Sequence, residues 1–256
     1  MLRTLEEQHD YTIGACDGDI GHVKDLYLDD EAWVVRYLVV DTGGWLSSRQ
    51  VLISPIAIGK PNWVNKQLPV LITKEQVKNN PDIDTNKPVT RQNEPEYASY
   101  YGYPYYWGGT GLWGYGMYPN VMMPGYVGLS SPQVILAATQ NTQASADVAR
   151  DHNADAHLRS CDAITGYHIH ANDGDIGHVS GMLIDGETWS VRYLIVDTSN
   201  WWIGHKMLVA PPWIKNVSWA EQSVSVDLTR QAVKDAPVYD PSQTLTPGGE
   251  ALLSRH

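Results

Sequence analysis

Asp17, Asp19 and His22 sit together in the heptapeptide DGDIGHV, and the same heptapeptide returns with Asp173, Asp175 and His178. Two aspartates and a histidine on one short loop are hard-cation chemistry, and the EF-hand loop is the pattern to test. That loop requires glycine at its sixth position and glutamate at its twelfth, whereas here Gly21 is fifth and Leu28 is twelfth. The residues present suffice for a turn: Gly18 and Gly21, with Gly174 and Gly177, supply backbone freedom, and the aspartates close Asx-type turns. A structural turn is therefore the expectation and a cation site the alternative. His168 and His170 alternate on a strand-like run, so both imidazoles project from one face, a geometry that can bind zinc. The first copy has Thr12 and Gly14 there, which confines this metal candidate to the second copy. Arg36 with Asp41, and Arg192 with Asp197, recur on and just after the central strand of each copy and read as a structural ion pair or a turn cap. GTGLWG (109–114) matches GxGxxG literally, but lacks the strand before it and the helix after it that a dinucleotide loop demands. The sequence contains no GxSxG, HExxH, CxxC or P-loop. No catalytic residue and no cofactor are expected.

The elements that position these residues are themselves repeated. A shift of 156 residues lays DGDIGHVKDLYLDDEAWVVRYLVVDT (17–42) over DGDIGHVSGMLIDGETWSVRYLIVDT (173–198), with 17 of 26 positions identical. Unrelated sequences of ordinary composition would share roughly one or two. The register continues through VLISPIAI (51–58) over MLVAPPWI (207–214), and LPVLITKEQVKNNP (68–81) over VSVDLTRQAVKDAP (224–237). The runs are short, β-branched and aromatic, and are bounded by Asp, Gly, Asn and Pro, which predicts strands. In WVVRYLVVD both faces are largely apolar, which predicts a central strand covered on both sides; Ser190 in place of Val34 makes the Arg36 face the less deeply buried one. Each copy then ends in a short helix, Thr73–Val77 and Thr229–Val233, with threonine as N-cap. Five or six such strands are too few for a sandwich and close most readily as a small barrel.

Composition narrows the classes of function. The chain has 256 residues, is 43% hydrophobic and 18% charged, and carries a formal net charge of −11. Segments 1–90, 91–158 and 159–256 each carry an excess of acidic residues, so direct nucleic-acid binding is not expected. No run approaches the ~18 apolar residues of a membrane span. MLRTLEEQHDY places acidic residues where an export signal would place an apolar run. Cys16 and Cys161 fall at non-matching positions and read as reduced thiols of a cytoplasmic protein.

The pattern DGDIGHVxDxxxDDxxWxVRYLVVDTGxWL…VLISPxxI resembles the PRC-barrel family, named for the cytoplasmic domain of the photosynthetic reaction-centre H subunit. In the second copy HLRS (157–160), TGYHIHANDGDIGHV and VRYLIVDTSNWW carry the same resemblance, which covers about 11–80 and 157–238. It implies a mainly β chain of two small PRC-type barrels in tandem, each followed by a short helix, that serves as a protein-interaction module without established catalytic residues. The expected domains are 1–90, a spacer and linker over 91–156, a second barrel over 157–240, and a tail over 241–256.

The spacer YASYYGYPYYWGGTGLWGYGMYPNVMMPGYVG (97–128) holds nine of the fifteen tyrosines, two tryptophans and eight glycines, and no charged residue. Tyr and Trp give large contact area at low entropic cost, as interfaces prefer. Two compatible readings follow: the spacer folds back over its own barrel, or it binds another chain through Tyr105, Tyr106, Trp107 and Trp113, with Trp45, Trp201 and Trp202 contributing. The first functional expectation is thus a non-enzymatic scaffold that associates with itself or with protein partners. A small-ligand or metal-binding protein is the alternative. An adaptor of the ribosome or of a photosynthetic complex follows only from the shared fold.

Overall fold

The computed structural model describes residues 1–9, 11–81, 89–90, 94–107, 109–123, 156–198, 205–236 and 238–241. In chain order the strands and helices are β1 (Leu2–Thr4), α1 (Leu5–Gln8), β2 (Thr12–Ala15), β3 (Gly18–Asp29), β4 (Val34–Asp41), β5 (Gln50–Ile53), β6 (Gln67–Pro69), α2 (Lys74–Lys78), β7 (Val89–Thr90), α3 (Glu94–Tyr101), β8 (Ala156–Ser160), α4 (Cys161–Ile164), β9 (His168–Ala171), β10 (Gly174–Asp185), β11 (Val191–Asp197), β12 (Lys206–Val209), β13 (Ile214–Ser218), β14 (Ser223–Val226) and α5 (Arg230–Asp235). The chain is mainly β, as the alternating and β-branched runs predict. It divides into two compact units. One comprises Glu7–Ser160 with Glu187–Ser190, here the first-repeat unit; the other comprises Met1–Glu6, Cys161–Gly186 and Val191–His256, the second-repeat unit.

In the first-repeat unit the strand order is β5-β4-β3-β2-β6, with β8 and then β7 added beside β3. At twelve residues β3 is long enough to serve two neighbours on one side. Its start pairs with β2 and its end, Tyr27–Asp29, pairs with β8, while β4 runs along the other side. Register shifts at Val23/Asp25 and Tyr27/Leu28 mark bulges, which bend a strand and increase its twist. After β5 the chain turns through Pro55–Ala57, and Ile58 bridges Val70 just beyond β6. Where a closed barrel is the expectation, no ladder joins β5 to β6 among the described residues; that covalent corner brings the two ends of the order together. The second-repeat unit repeats the scheme as β12-β11-β10-β9-β14-β13, with β1 beside the end of β10. The parallel pairing of β14 with β9 matches that of β6 with β2.

The heptapeptide leads from a turn into a strand in both units, with Asp17 and Asp173 in the turn and the other six residues opening β3 and β10. Gly18 and Gly174 lie at φ +131° and +138°, in the region that favours glycine. A Cβ on Gly21 would stand 1.9 Å from the Asp41 carbonyl oxygen, and one on Gly177 2.0 Å from that of Asp197. These glycines therefore let the two strands approach. The leading aspartates reach across to the following helix: Asp17 Oδ1 accepts from the Lys74 N–H at 2.8 Å, and Asp173 Oδ1 from the Arg230 N–H at 2.7 Å. Thr73 caps α2 in a capping box with Gln76, and Thr229 caps α5. One acidic turn thus satisfies an orphan helix donor in each unit. Gly21→Ala is expected to destabilise the chain by about 1–3 kcal/mol, the cost of overpacking against fixed backbone, measured by urea denaturation.

Candidate functional site

In WVVRYLVVD every residue from Val34 to Val40 is buried, Arg36 included. This corrects the expectation that the Arg36 face is the shallower one. The physical reason is the spacer, which supplies a second covering layer on this unit. Arg36 Nη2 and Nε donate to Asp29 Oδ2 at 3.1 and 3.3 Å, and Nη1 donates to the Leu112 carbonyl at 2.5 Å. Its guanidinium carbon stands 3.8 Å from the Tyr106 ring centroid and 4.9 Å from that of Trp113, a cation–π contact on each. Asp29, in turn, accepts at Oδ1 from the Glu31 and Ala32 N–H groups. Arg36 is therefore an ion pair with Asp29, not with Asp41, whose Oδ1 instead accepts from the Gly43 N–H as a turn cap. Arg192, at the matching position of the second copy, is exposed.

Beside this pair lies a second buried set. Glu94, on the first turn of α3, accepts at Oε1 from the Tyr37 hydroxyl at 3.0 Å and the Tyr106 hydroxyl at 2.7 Å. His157 on β8 places Nε2 3.0 Å from Glu94 Oε2, an ion-pair distance without hydrogen-bond alignment, and 3.2 Å from the Tyr106 hydroxyl. Among the described residues Glu94 Oε2 and His157 Nδ1 have no hydrogen-bond partner. Asp29, Arg36, Tyr37, Glu94, Tyr106 and His157 are all at most 6% exposed. A set of groups so buried can hold charge and fix geometry inside the unit.

Burial, and then the Glu94 carboxylate, push the Tyr37 and Tyr106 hydroxyls well above the usual phenol range. Burial likewise raises Tyr97, whose hydroxyl donates to the Leu52 carbonyl at 2.9 Å. A phenol raised in the folded state and ordinary in the unfolded one stabilises fully below about pH 10, and that stability is lost as pH rises beyond it. Three such groups steepen the loss by about 4 kcal/mol per pH unit above pH 10, at 1.36 kcal/mol for each proton. Alkaline titration is therefore expected to show the phenolate absorbance of these three buried tyrosines only together with loss of β-sheet circular dichroism. Ionisation of every tyrosine with the fold intact would contradict it.

The spacer residues offered as an interaction surface divide. Tyr106, Trp107 and Trp113 are buried within their own unit, and Trp113 Nε1 donates to the Thr188 carbonyl at 2.8 Å. Tyr105 is half-buried and stacked on Trp107, 4.6 Å between centroids. Trp45 is half-buried; its Nε1 donates to the Ile20 carbonyl, and Lys74 Nζ stands 4.4 Å over its ring. Among the described spacer residues the outward large side chains are others: Tyr100, Tyr115, Met117 and Tyr118, exposed by 40%, 58%, 52% and 45%. Trp201 and Trp202 lie outside the described residues, as do the linker over 130–155 and all but the first residue of the tail. His168 is exposed, and His170 Nδ1 lies 2.5 Å from Asp175 Oδ1. Among the described residues no group of three or more His, Cys, Asp or Glu side chains is placed to hold a metal ion. Cys16 is exposed, Cys161 is buried, and neither is bridged.

Asp29 lies in the DGDIGHVxDxxxDDxxW pattern and His157 opens HLRS, but the patterns assign neither a role, and Glu94 belongs to no motif. One signal was available: Glu94 and Glu96 are the last charges before a long charge-free aromatic tract, a place where an acid is readily folded under the aromatics it leads.

The end of β2, all of β3, β4, β5 and β6, and most of α2 fall within one segment that matches a protein-family model. Residues 14–77 form a PRC-barrel domain. Asp29, Arg36 and Tyr37 belong to that PRC-barrel domain, while Glu94, Tyr106, Trp113 and His157 come from the chain beyond it. An uncharacterised protein of Deinococcus radiodurans is 34% identical over 92 residues, covering 31% of this chain and 33% of that protein. The chain thus spans about a third of the length of this relative. No helix among the described residues is long and apolar enough to cross a membrane.

Proposed function

We propose that this chain is a non-enzymatic interaction protein built on two PRC-type barrels, the second formed by the repeat over 157–240, and that it associates with itself through the spacer of the first. The support for a second barrel is the 17-of-26 identity and the matched strand pairings of the two units. One observation carries the interaction reading. The loop after Trp113 is pinned at its base by a side chain with 0% exposure, yet displays Tyr115, Met117 and Tyr118 to solvent. Its backbone is tied by Gly111–Gly114 and Trp113–Gly116 bridges. Aromatic anchors on a pre-ordered loop lose little entropy on binding, and exposed apolar clusters mark interaction sites. The polar cluster, by contrast, is buried. The test is solution mass by light scattering on the wild type and on Tyr115→Ser, Met117→Ser, Tyr118→Ser combined. An oligomer that becomes monomeric at unchanged melting temperature supports the reading; an unchanged mass overturns self-association through this loop.

A further inference from the structure

Two independent domains joined by a spacer need one covalent crossing. This chain passes between its compact units at Glu6–Glu7, Ser160–Cys161, Gly186–Glu187 and Ser190–Val191. The pieces exchanged are structural. The strand that precedes the first repeat, β1, completes the second-repeat unit with Leu2 opposite Asp185, Arg3 opposite Ile184 and Thr4 opposite Leu183. The strand that precedes the second repeat, β8, completes the first-repeat unit with Leu158 opposite Asp29, Arg159 opposite Leu28 and Ser160 opposite Tyr27. These registers are the same pairings displaced by 156 residues. Polar contacts reinforce both: the Met1 amine lies 3.6 Å from Asp185, and Arg159 Nε lies 3.1 Å from Asp30.

The tip of the β10–β11 hairpin is exchanged as well. Glu187–Ser190 belongs to the first-repeat unit, although the strands on either side of it belong to the second. There the Val35 N–H donates to the Trp189 carbonyl at 2.8 Å, Ser190 bridges Val34, and Thr188 accepts from Trp113. Trp189 is buried and lies at φ +61°, as its counterpart Trp33 lies at φ +54°, so the left-handed turn belongs to the hairpin of both repeats.

From these exchanges we infer that the two units fold and unfold as one cooperative system, with the hairpin tip as the latch. When β10 and β11 lose their sheet, the tip loses its frame, and Val34, Val35 and Trp113 lose cover and hydrogen-bond partners in the other unit. When the first-repeat unit opens, the tip is released and the hairpin that carries it loses its end. A ligand or partner that stabilises one unit therefore stabilises the other, as any binding confined to the native state does.

Hydrogen exchange by mass spectrometry on the full chain, at a denaturant concentration where global opening dominates, tests this. Val224→Ala lies on β14, a buried position of the second-repeat unit remote in sequence from the tip. It is expected to speed exchange at least tenfold in both β10–β11 and β4. Tenfold acceleration confined to residues 161–186 and 191–236, with β4 at its wild-type rate, would overturn the inference. Ile176→Val, a milder change at another buried position of that unit, keeps the test decisive if Val224→Ala does not fold: equal acceleration in both units supports coupling, and unequal acceleration refutes it.

Discussion

Arg36→Ala is expected to lower stability by about 3–5 kcal/mol, because it leaves the Asp29 carboxylate buried without its countercharge. The Asp29 Oδ2 atom accepts both Arg36 donors, and both side chains are 3% exposed. Neutralising the pair together removes that penalty, so Asp29→Asn with Arg36→Met is expected to be less destabilised than Arg36→Ala alone. The matching substitution in the other copy, Arg192→Ala, is expected to cost less than about 1 kcal/mol, since the side chain is exposed. Urea denaturation of the variants measures both. Equal losses for Arg36→Ala and Arg192→Ala would mean that the covering of Arg36 by the spacer carries no energetic weight.

Trp113→Ala is expected to cost about 3–5 kcal/mol, the range for emptying a large aromatic site in a core. Its ring has no exposure, it faces Arg36, and its indole N–H donates to Thr188. Trp113→Phe keeps most of the apolar burial and loses the hydrogen bond, leaving the Thr188 carbonyl without that donor; about 1–3 kcal/mol is expected. This ordering separates a spacer that is part of the core from one that merely links. It also shows why deleting residues 97–128 does not isolate an interaction surface. The deletion removes Tyr97, Tyr101, Tyr103, Tyr106 and Trp113 from the interior together with Tyr115 and Tyr118 from the surface. A Trp113→Ala loss below about 1 kcal/mol would return the spacer to the role of a linker.

Much of the local structure was legible from residue types. The DGDIGHV turn, the threonine-capped helices and the alternating apolar strands are short-range features, decided by backbone freedom, hydrogen-bonding side chains and period-two patterning within a few residues. The aspartates of the heptapeptide read as formers of Asx-type turns, whereas in the structure Asp17 and Asp173 accept from a helix N–H. That Asp17 and Asp173 serve a helix 57 residues further on was not readable, because side-chain acceptors meet their donors only once the sheet has curved.

The site was far less legible. Arg36 and Arg192 sit in the same VRYL context and meet opposite environments. No property of that local sequence distinguishes them; the difference comes from Tyr106 and Trp113, about seventy residues away, which lie over one arginine. The aromatic spacer announced large contact area but not its direction, since Tyr and Trp are equally suited to a core edge and to an interface.

By itself, then, the sequence determined a duplicated mainly β chain, its turns and caps, and the identity of the covering aromatics. Only the tertiary structure decided which repeat they cover, that Asp29 is the partner of Arg36, that Glu94 and His157 meet beneath Tyr106, and that each unit borrows a strand from the other repeat. Those outcomes depend on pairings between residues far apart in the chain, where the free energy belongs to the pair and to the water it excludes, and neither residue carries a local mark of it.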